Sequence, residues 1–224
     1  MSLGKFCLVS LCLAAFAGFS AAQTGDDSFQ VNYATNLNVG DSFINITNLG
    51  VTPTSLAPAA GSTANICVNV YTFDSAEELI SCCSCLVTSN ALVSLSARRD
   101  LISNTLTPAT PSAIVVKLLS TQPTVAAASG GSVTQTCNPA IDPLPMPPWT
   151  TSSTLAHGMR AWSTTLKALG SGSYVPVESR FSWLALTDSE VFRTTRLCGF
   201  IQNNGSGFGL CKTCRTGALG AVHE

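Results

Sequence analysis

The chain has 224 residues, of which 46% are hydrophobic and only 10% are charged, and its formal net charge is −1. Average soluble domains contain roughly 25% charged residues, so this surface is weakly charged and rich in Ser and Thr hydroxyl groups. Nucleic-acid binding needs a strongly basic footprint. The composition therefore excludes a nucleic-acid-binding protein and is typical of extracellular structural proteins.

The first 22 residues predict a secretory signal peptide. Lys5 precedes fourteen mostly apolar residues, Phe6–Phe19, and the small residues Ser20, Ala21 and Ala22 follow; this is the order of a signal peptide and its cleavage site. The apolar run is shorter than the roughly 20 residues that span a bilayer. We therefore expect cleavage after Ala22 and a chain that is extracellular, on the cell surface or periplasmic, with no membrane span.

Eight cysteines remain after cleavage, and an even number in an exported chain predicts four disulfides. Two closely spaced groups, Cys82-Cys83-Ser84-Cys85 and Cys211-Lys212-Thr213-Cys214, would also fit a structural zinc site. Oxidation on export consumes the thiolates that zinc needs, so we favour disulfides and expect no metal or cofactor. The eight cysteines are Cys67, Cys82, Cys83, Cys85, Cys137, Cys198, Cys211 and Cys214.

Alternation of apolar and polar residues predicts a mainly β chain, because successive side chains of a strand point to opposite faces. The first predicted strand has one apolar face formed by Phe29, Val31, Tyr33, Leu37 and Val39. The further predicted strands are Ser42–Thr47, Ile66–Phe73, residues 77–85, Leu92–Leu95, Ala113–Leu119, Gly158–Leu169 and Val175–Leu186. We expect an antiparallel β-sandwich, immunoglobulin-like or jelly-roll-like, with one short C-terminal helix.

Residues 64–73 and 77–85 predict a hairpin, with a short helix after the turn as the alternative. If the hairpin is centred on Ser75, Cys67 lies opposite Cys83, and directly opposed side chains are close enough to bond. We therefore expect a Cys67–Cys83 bridge. The neighbouring cysteines then reach elsewhere, for example to Cys137.

The run Thr187-Asp188-Ser189-Glu190 is a capping box and predicts a helix over Asp188–Asn203. Asn204-Gly205 ends the predicted helix. We expect Cys198 to bridge to Cys211 or Cys214. The predicted buried side of the helix consists of Val191, Phe192, Thr195, Cys198 and Ile201.

Residues 120–154 contain Gly130-Gly131 and six prolines, which predict an extended connector. It separates a β-sandwich core, residues 23–119, from C-terminal strands and a helix, residues 155–224. We expect Cys137 to tie the connector to the body. We prefer a long surface loop within one domain to the alternative, a linker between two domains.

Four runs of the chain are similar to runs in uncharacterised secreted bacterial proteins. The likeness spans most of the chain beyond the signal peptide, and it implies secretion without implying an activity. The runs are Ile66–Phe73, Cys82–Cys85, Leu101–Pro108 and Cys198–Gly209.

The function that the sequence favours is a structural or surface-assembly protein. The alternating strand from Phe29 to Val39 follows a short segment, Gln23–Ser28. Such a strand could complete the sheet of a neighbouring subunit by strand addition. The alternative is that this strand pairs within its own sheet.

Two other functions remain open. Trp149 follows two prolines and, with Trp162, Trp183, Tyr71 and Tyr174, could form a flat platform on which a polysaccharide stacks. A secreted hydrolase is the least expected function, because serine nucleophiles usually need a histidine base. The chain has two histidines, and the sequence favours a loop position for His157 and a mobile terminus for His223.

Overall fold

The computed structural model describes residues 27–51, 64–108, 110–127, 133–140 and 155–214. The predicted signal peptide, Trp149 and His223 lie outside these residues. Within them, no helix is long and apolar enough to cross a membrane.

The described residues form eleven strands and one α-helix. The strands are β1 Phe29–Ala34, β2 Ser42–Asn48, β3 Ile66–Phe73, β4 Leu79–Val87, β5 Leu92–Ser96, β6 Ile114–Thr121, β7 Thr124–Ala127, β8 Val133–Thr136, β9 Met159–Gly170, β10 Ser173–Arg180 and β11 Ser182–Trp183. The helix α1 spans Asp188–Asn203, and a π-helical turn spans Ala97–Leu101.

The strands build two antiparallel sheets and a separate hairpin of β7 and β8. Sheet A has the order β11-β1-β6-β3-β4, and sheet B has the order β10-β9-β2-β5. Strands from both sides of the 120–154 connector share each sheet. The mainly antiparallel β fold with one short C-terminal helix confirms the predicted fold class.

Three layers follow from the faces that each sheet buries. Between the sheets lies a core that includes Ile44 and Ile46 from sheet B and Val68 and Val70 from sheet A, all fully buried. The other face of sheet A is covered by α1. Each such side chain stabilises the fold by roughly 1.5–3 kcal/mol relative to exposure.

The first strand is shorter than the alternation predicts. β1 ends at Ala34, because Asn36 adopts a left-handed backbone with φ of 62° and turns the chain. Leu37 is buried beyond the strand, and its N–H donates to Ser112 O, whereas Val39 is exposed. β1 pairs along its whole length with β6 and at two residues with β11, so it pairs within its own sheet.

The predicted strand Val175–Leu186 was wrong in its extent, because the chain changes sheets within it. β10 pairs with β9 in sheet B as far as Arg180. Phe181 then turns inward, its ring buried and its N–H donating to Ala161 O at 3.1 Å. The next two residues, β11, pair with β1 in sheet A.

The predicted bounds of α1 are confirmed. The side chain of Thr187 accepts a hydrogen bond from Glu190 N at the first turn. The Glu190 carboxylate does not return to the cap but binds Lys117 Nζ on sheet A at 2.5 Å. Phe192 is exposed and Thr194 is buried in its place, so the predicted buried side was wrong at Phe192.

All eight predicted cysteines are bonded, but the expected Cys67–Cys83 bridge was wrong. The β3–β4 hairpin is confirmed; its turn occupies residues 74–78, so Val70 lies opposite Cys83 and Cys67 lies opposite Leu86. Cys67 instead binds Cys137, which confirms that Cys137 ties the connector to the body. The four bridges are Cys67–Cys137, Cys82–Cys198, Cys83–Cys211 and Cys85–Cys214.

The C-terminal tail covers the outer edge of β4. Cys82 N donates to Gly209 O at 2.8 Å, and the two bridges from Cys83 and Cys85 hold the tail there. Cys198 does not bridge to the tail as expected, because Cys82 points to the opposite face of β4, toward α1. Gly209 has a φ of 79°, and a Cβ there would lie 2.8 Å from Ile201 Cγ2, so the tail needs glycine at this point.

Thiol counting on double variants tests this connectivity. Cys67→Ala with Cys137→Ala should leave no free thiol in denaturant and should lower the free energy of unfolding by about 2–4 kcal/mol, because the unfolded chain gains freedom. The mismatched control, Cys67→Ala with Cys83→Ala, should leave two reactive thiols. Two thiols in the first variant, or none in the second, would contradict the pairing.

Candidate ligand-binding groove

A groove opens where two neighbouring strands separate. The last pair of β9 and β10 is Trp162 with Arg180. Beyond it, Trp183 pairs with Gln30 of β1 and no longer with β9. The gap between the diverging strands has a volume of about 920 Å³, and its lining includes Gln30, Arg160, Trp162, Glu178, Arg180 and Trp183.

Trp162 lies on the outward face of sheet B. The residues of β9 alternate between buried and half-buried up to Leu166, and Trp162 belongs to the half-buried set. Its direct cross-strand neighbours are Asn45 on β2 and Arg180 on β10. Opposed side chains share a face, so the indole lies in a polar row at the rim of the groove.

Trp183 forms the other aromatic part of the lining, and Arg160 holds it in place. The Arg160 guanidinium carbon lies 4.7 Å from the centroid of the Trp183 ring, within cation–π distance. Arg160 Nη1 also donates to Asp27 Oδ2 at 3.1 Å and to Met159 O at 2.8 Å. The guanidinium is therefore fixed in position, and its charge is compensated by Asp27.

Asp27 joins this wall to the segment that precedes β9. Its carboxylate accepts from Gly158 N at 2.9 Å and contacts His157 Nδ1 at 2.7 Å, besides Arg160. Burial by itself raises the pKa of Asp27, but the hydrogen bonds from Gly158, His157 and Arg160 outweigh it and hold the pKa below the ordinary value of 3.8. The ionised carboxylate therefore stabilises the wall of the groove.

Gln30 lines the groove, but its side-chain oxygen is buried. Its side chain is 1% exposed, and its Nε2 donates to Asp27 O and to Met159 O, both at 2.9 Å. Two carbonyl partners fix which end of the amide is nitrogen. Its Oε1 has no partner among the described residues, and an unpaired buried acceptor costs roughly 1–3 kcal/mol.

Arg180 and Glu178 are the exposed charges of the groove. They lie two residues apart on β10 and thus on one face, with Arg180 opposite Trp162 and Glu178 opposite Thr164. Neither side chain forms a hydrogen bond or ion pair with the residues that the structure describes. Both are available to a ligand.

The structure brings together only some of the aromatic residues in the predicted platform. Trp162 and Trp183 line one groove. Tyr71 is fully buried and donates its hydroxyl to Pro139 O, whereas Tyr174 is exposed near the β9–β10 turn. Trp149 lies outside the described residues.

Sequence analysis missed the polar residues of the groove. The Asp27 contact to His157 spans 130 positions, and the Gln30 contact to Met159 spans 129. No local sequence pattern predicts such contacts. Three or more His, Cys, Asp or Glu side chains grouped to hold a metal do not occur in the part of the chain that is described. The groove offers aromatic surface, hydrogen-bonding groups and charge.

No protein-family model matches this chain, and no significant match was found among curated proteins or solved structures. The resemblance to secreted bacterial proteins therefore remains a prediction. The groove has to be interpreted from its own chemistry.

Asp27→Asn tests the anchor of the groove wall. The free energy of unfolding should fall by about 1–3 kcal/mol near neutral pH, because charge-assisted hydrogen bonds are lost. Since the folded pKa is lowered, the carboxylate stabilises the fold above the pKa of an unfolded aspartate, and this contribution is lost as the pH falls through the folded pKa. The difference in the free energy of unfolding between wild type and variant should therefore become smaller in acid.

Denaturant titrations from neutral pH down to acid measure that difference. Asp188→Asn, which removes an exposed carboxylate at the start of α1, is the control and should change stability far less. A difference that keeps its neutral-pH size throughout the acid range would contradict the role of ionised Asp27.

Proposed function

We propose that the protein is a secreted binding module that takes a polar ring ligand, a glycan, into the groove between Trp162 and Trp183. The observation that carries this proposal is the meeting of Trp162 and Trp183 with two exposed charged side chains, Glu178 and Arg180, in one open groove. The protein acts by holding the glycan rather than by cleaving it.

The chemistry of a sugar supports this assignment. The C–H face of a pyranose is apolar and packs on an indole ring, while its hydroxyl groups need donors and acceptors around the rim. The groove supplies Glu178 and Arg180 as exposed polar groups. Its volume of about 920 Å³ lies at the upper end of the range for ligand sites, roughly 300–1,000 Å³.

Trp162→Ala tests the glycan function. The variant should fold like wild type, because Trp162 lies on the outward face. It should bind its glycan about tenfold more weakly, because burying a large apolar side chain contributes roughly 1.5–3 kcal/mol. A glycan array identifies the ligand, and calorimetry then measures the change. Tyr174→Ala, an exposed aromatic outside the groove, should leave binding unchanged.

Two results would overturn this function. The first is a wild-type protein that retains no glycan on the array. The second is binding that survives Trp162→Ala and is lost with Tyr174→Ala, which would place the ligand on the β9–β10 turn.

A second function, assembly with further copies of the chain, is favoured by the β9–β10 hairpin. All side chains from 167 to 180 are exposed. Val177 pairs with Thr165, whose side chain points into the sandwich. The side chains of Val175 and Val177 therefore lie on the inner face of sheet B, beyond the part that sheet A covers. Each is about 40% exposed. A second copy would cover these two valines, beside Lys167, which lies opposite Val175 on the same face.

Side-chain packing suits such an assembly better than strand exchange. β1 is paired with β6 along its whole length and with β11 at two residues, so its transfer to a neighbour would require all six of its pairs with β6 to break. β10 is an edge strand, but Pro176 lacks the N–H that a ladder needs, which disfavours strand addition there.

Val175→Lys with Val177→Lys tests the assembly. If copies associate through this face, the double variant should be monomeric at concentrations where wild type is not, because two buried lysines would oppose the contact. Light scattering over a concentration series gives the mass. Tyr174→Lys on the opposite face of the strand is the control and should leave the mass unchanged. A monomeric wild type at high concentration would contradict assembly.

A further inference from the structure

We infer that the groove selects acidic glycans, in which a uronate carboxylate binds Arg180 while its sugar ring stacks on Trp162. This inference rests on the proposed function and adds the chemical class of the ligand. It depends on the placement and charge of the two arginines of the groove.

Arg180 is the uncompensated cation of the groove. Arg160 is neutralised by Asp27 and fixed over Trp183. Arg180 forms no ion pair with the described residues, and its side chain is exposed. A guanidinium presents parallel N–H groups that match a carboxylate in two hydrogen bonds. A free arginine beside an aromatic ring thus supplies both parts of a site for an anionic ring.

The register of the strands places these two parts together. Trp162 and Arg180 are direct cross-strand partners, and the Cβ atoms of such partners lie about 4.5–5.5 Å apart on the same face. In a uronic acid the carboxylate projects from the edge of the ring. When the ring stacks on Trp162, the carboxylate therefore lies at the rim, within reach of the long Arg180 side chain.

Glu178 limits the site to one carboxylate. It lies two residues before Arg180 on the same face of β10 and carries the opposite charge. A second anion at that end of the groove would be repelled, whereas a hydroxyl would donate to Glu178. We therefore expect one acidic subsite at Trp162 and Arg180, flanked by a subsite for a neutral, hydroxyl-bearing ring.

Matched pairs of glycans test this selectivity. Oligosaccharides of polygalacturonate, alginate and hyaluronan are each titrated beside their carboxyl-reduced, neutral counterparts by calorimetry at low ionic strength. Wild type should bind at least one acidic oligosaccharide about tenfold more tightly than its reduced form. Added salt should narrow that difference, because ions screen exposed charges.

Arg180→Gln should remove the preference without removing the groove. Its affinity for the acidic oligosaccharide should fall about tenfold, to that of the reduced form, and its affinity for the reduced form should not change. Arg180→Lys keeps the charge but loses the two-pronged geometry, so its affinity should lie between the two. Arg196→Gln, on the exposed side of α1, is the control and should bind like wild type.

The outcomes separate this inference from the proposed function. Binding of every reduced form as tightly as its acidic parent, or an Arg180→Gln variant with unchanged affinity for the acid, would overturn the acidic subsite and leave glycan binding standing. A wild-type protein that binds neither acidic nor reduced oligosaccharides would overturn both.

Discussion

The chain turns inward at Phe181 and buries its ring in the core. Both the connection between the two sheets and the shape of the groove depend on this turn. The Phe181 N–H donates to Ala161 O, and burying such a ring stabilises the fold by roughly 1.5–3 kcal/mol. The turn carries the chain from sheet B to sheet A and so joins the sheets on that side of the sandwich. The same turn separates β10 from β9, and the separation creates the groove beside Trp162.

The disulfides stabilise the far edge of sheet A. Three of the four bridges start from one strand, β4, and they leave it on two faces. Cys82 holds α1 against the sheet, while Cys83 and Cys85 hold the tail along the strand's open edge. An open edge is a template for pairing with another chain, so the tail protects the β4 edge of sheet A. Assembly is expected at the β9–β10 hairpin rather than by exchange of β1, because β1 pairs with β6 along its whole length.

The groove draws its residues from three segments that are far apart in sequence. β1 supplies Gln30, β9 supplies Arg160 and Trp162, and the region of β10 and β11 supplies Arg180 and Trp183. In a chain with only 10% charged residues, Arg180 and Glu178 lie on the same face of β10 and form no hydrogen bond or ion pair with the described residues. Asp27 compensates the charge of Arg160 and leaves Arg180 available to a ligand.

The sequence by itself determined the features that depend on neighbouring residues. Alternation located β2 and the hairpin of β3 and β4, the capping box at Thr187 located the start of α1, and Asn204-Gly205 located its end. The even cysteine count gave four disulfides. Tertiary structure alone decided which cysteines bond, because the turn at residues 74–78 moved Cys67 away from Cys83. It also decided that Trp162 and Trp183 share a groove, since pairing between distant strands depends on hydrogen bonds that no local pattern records.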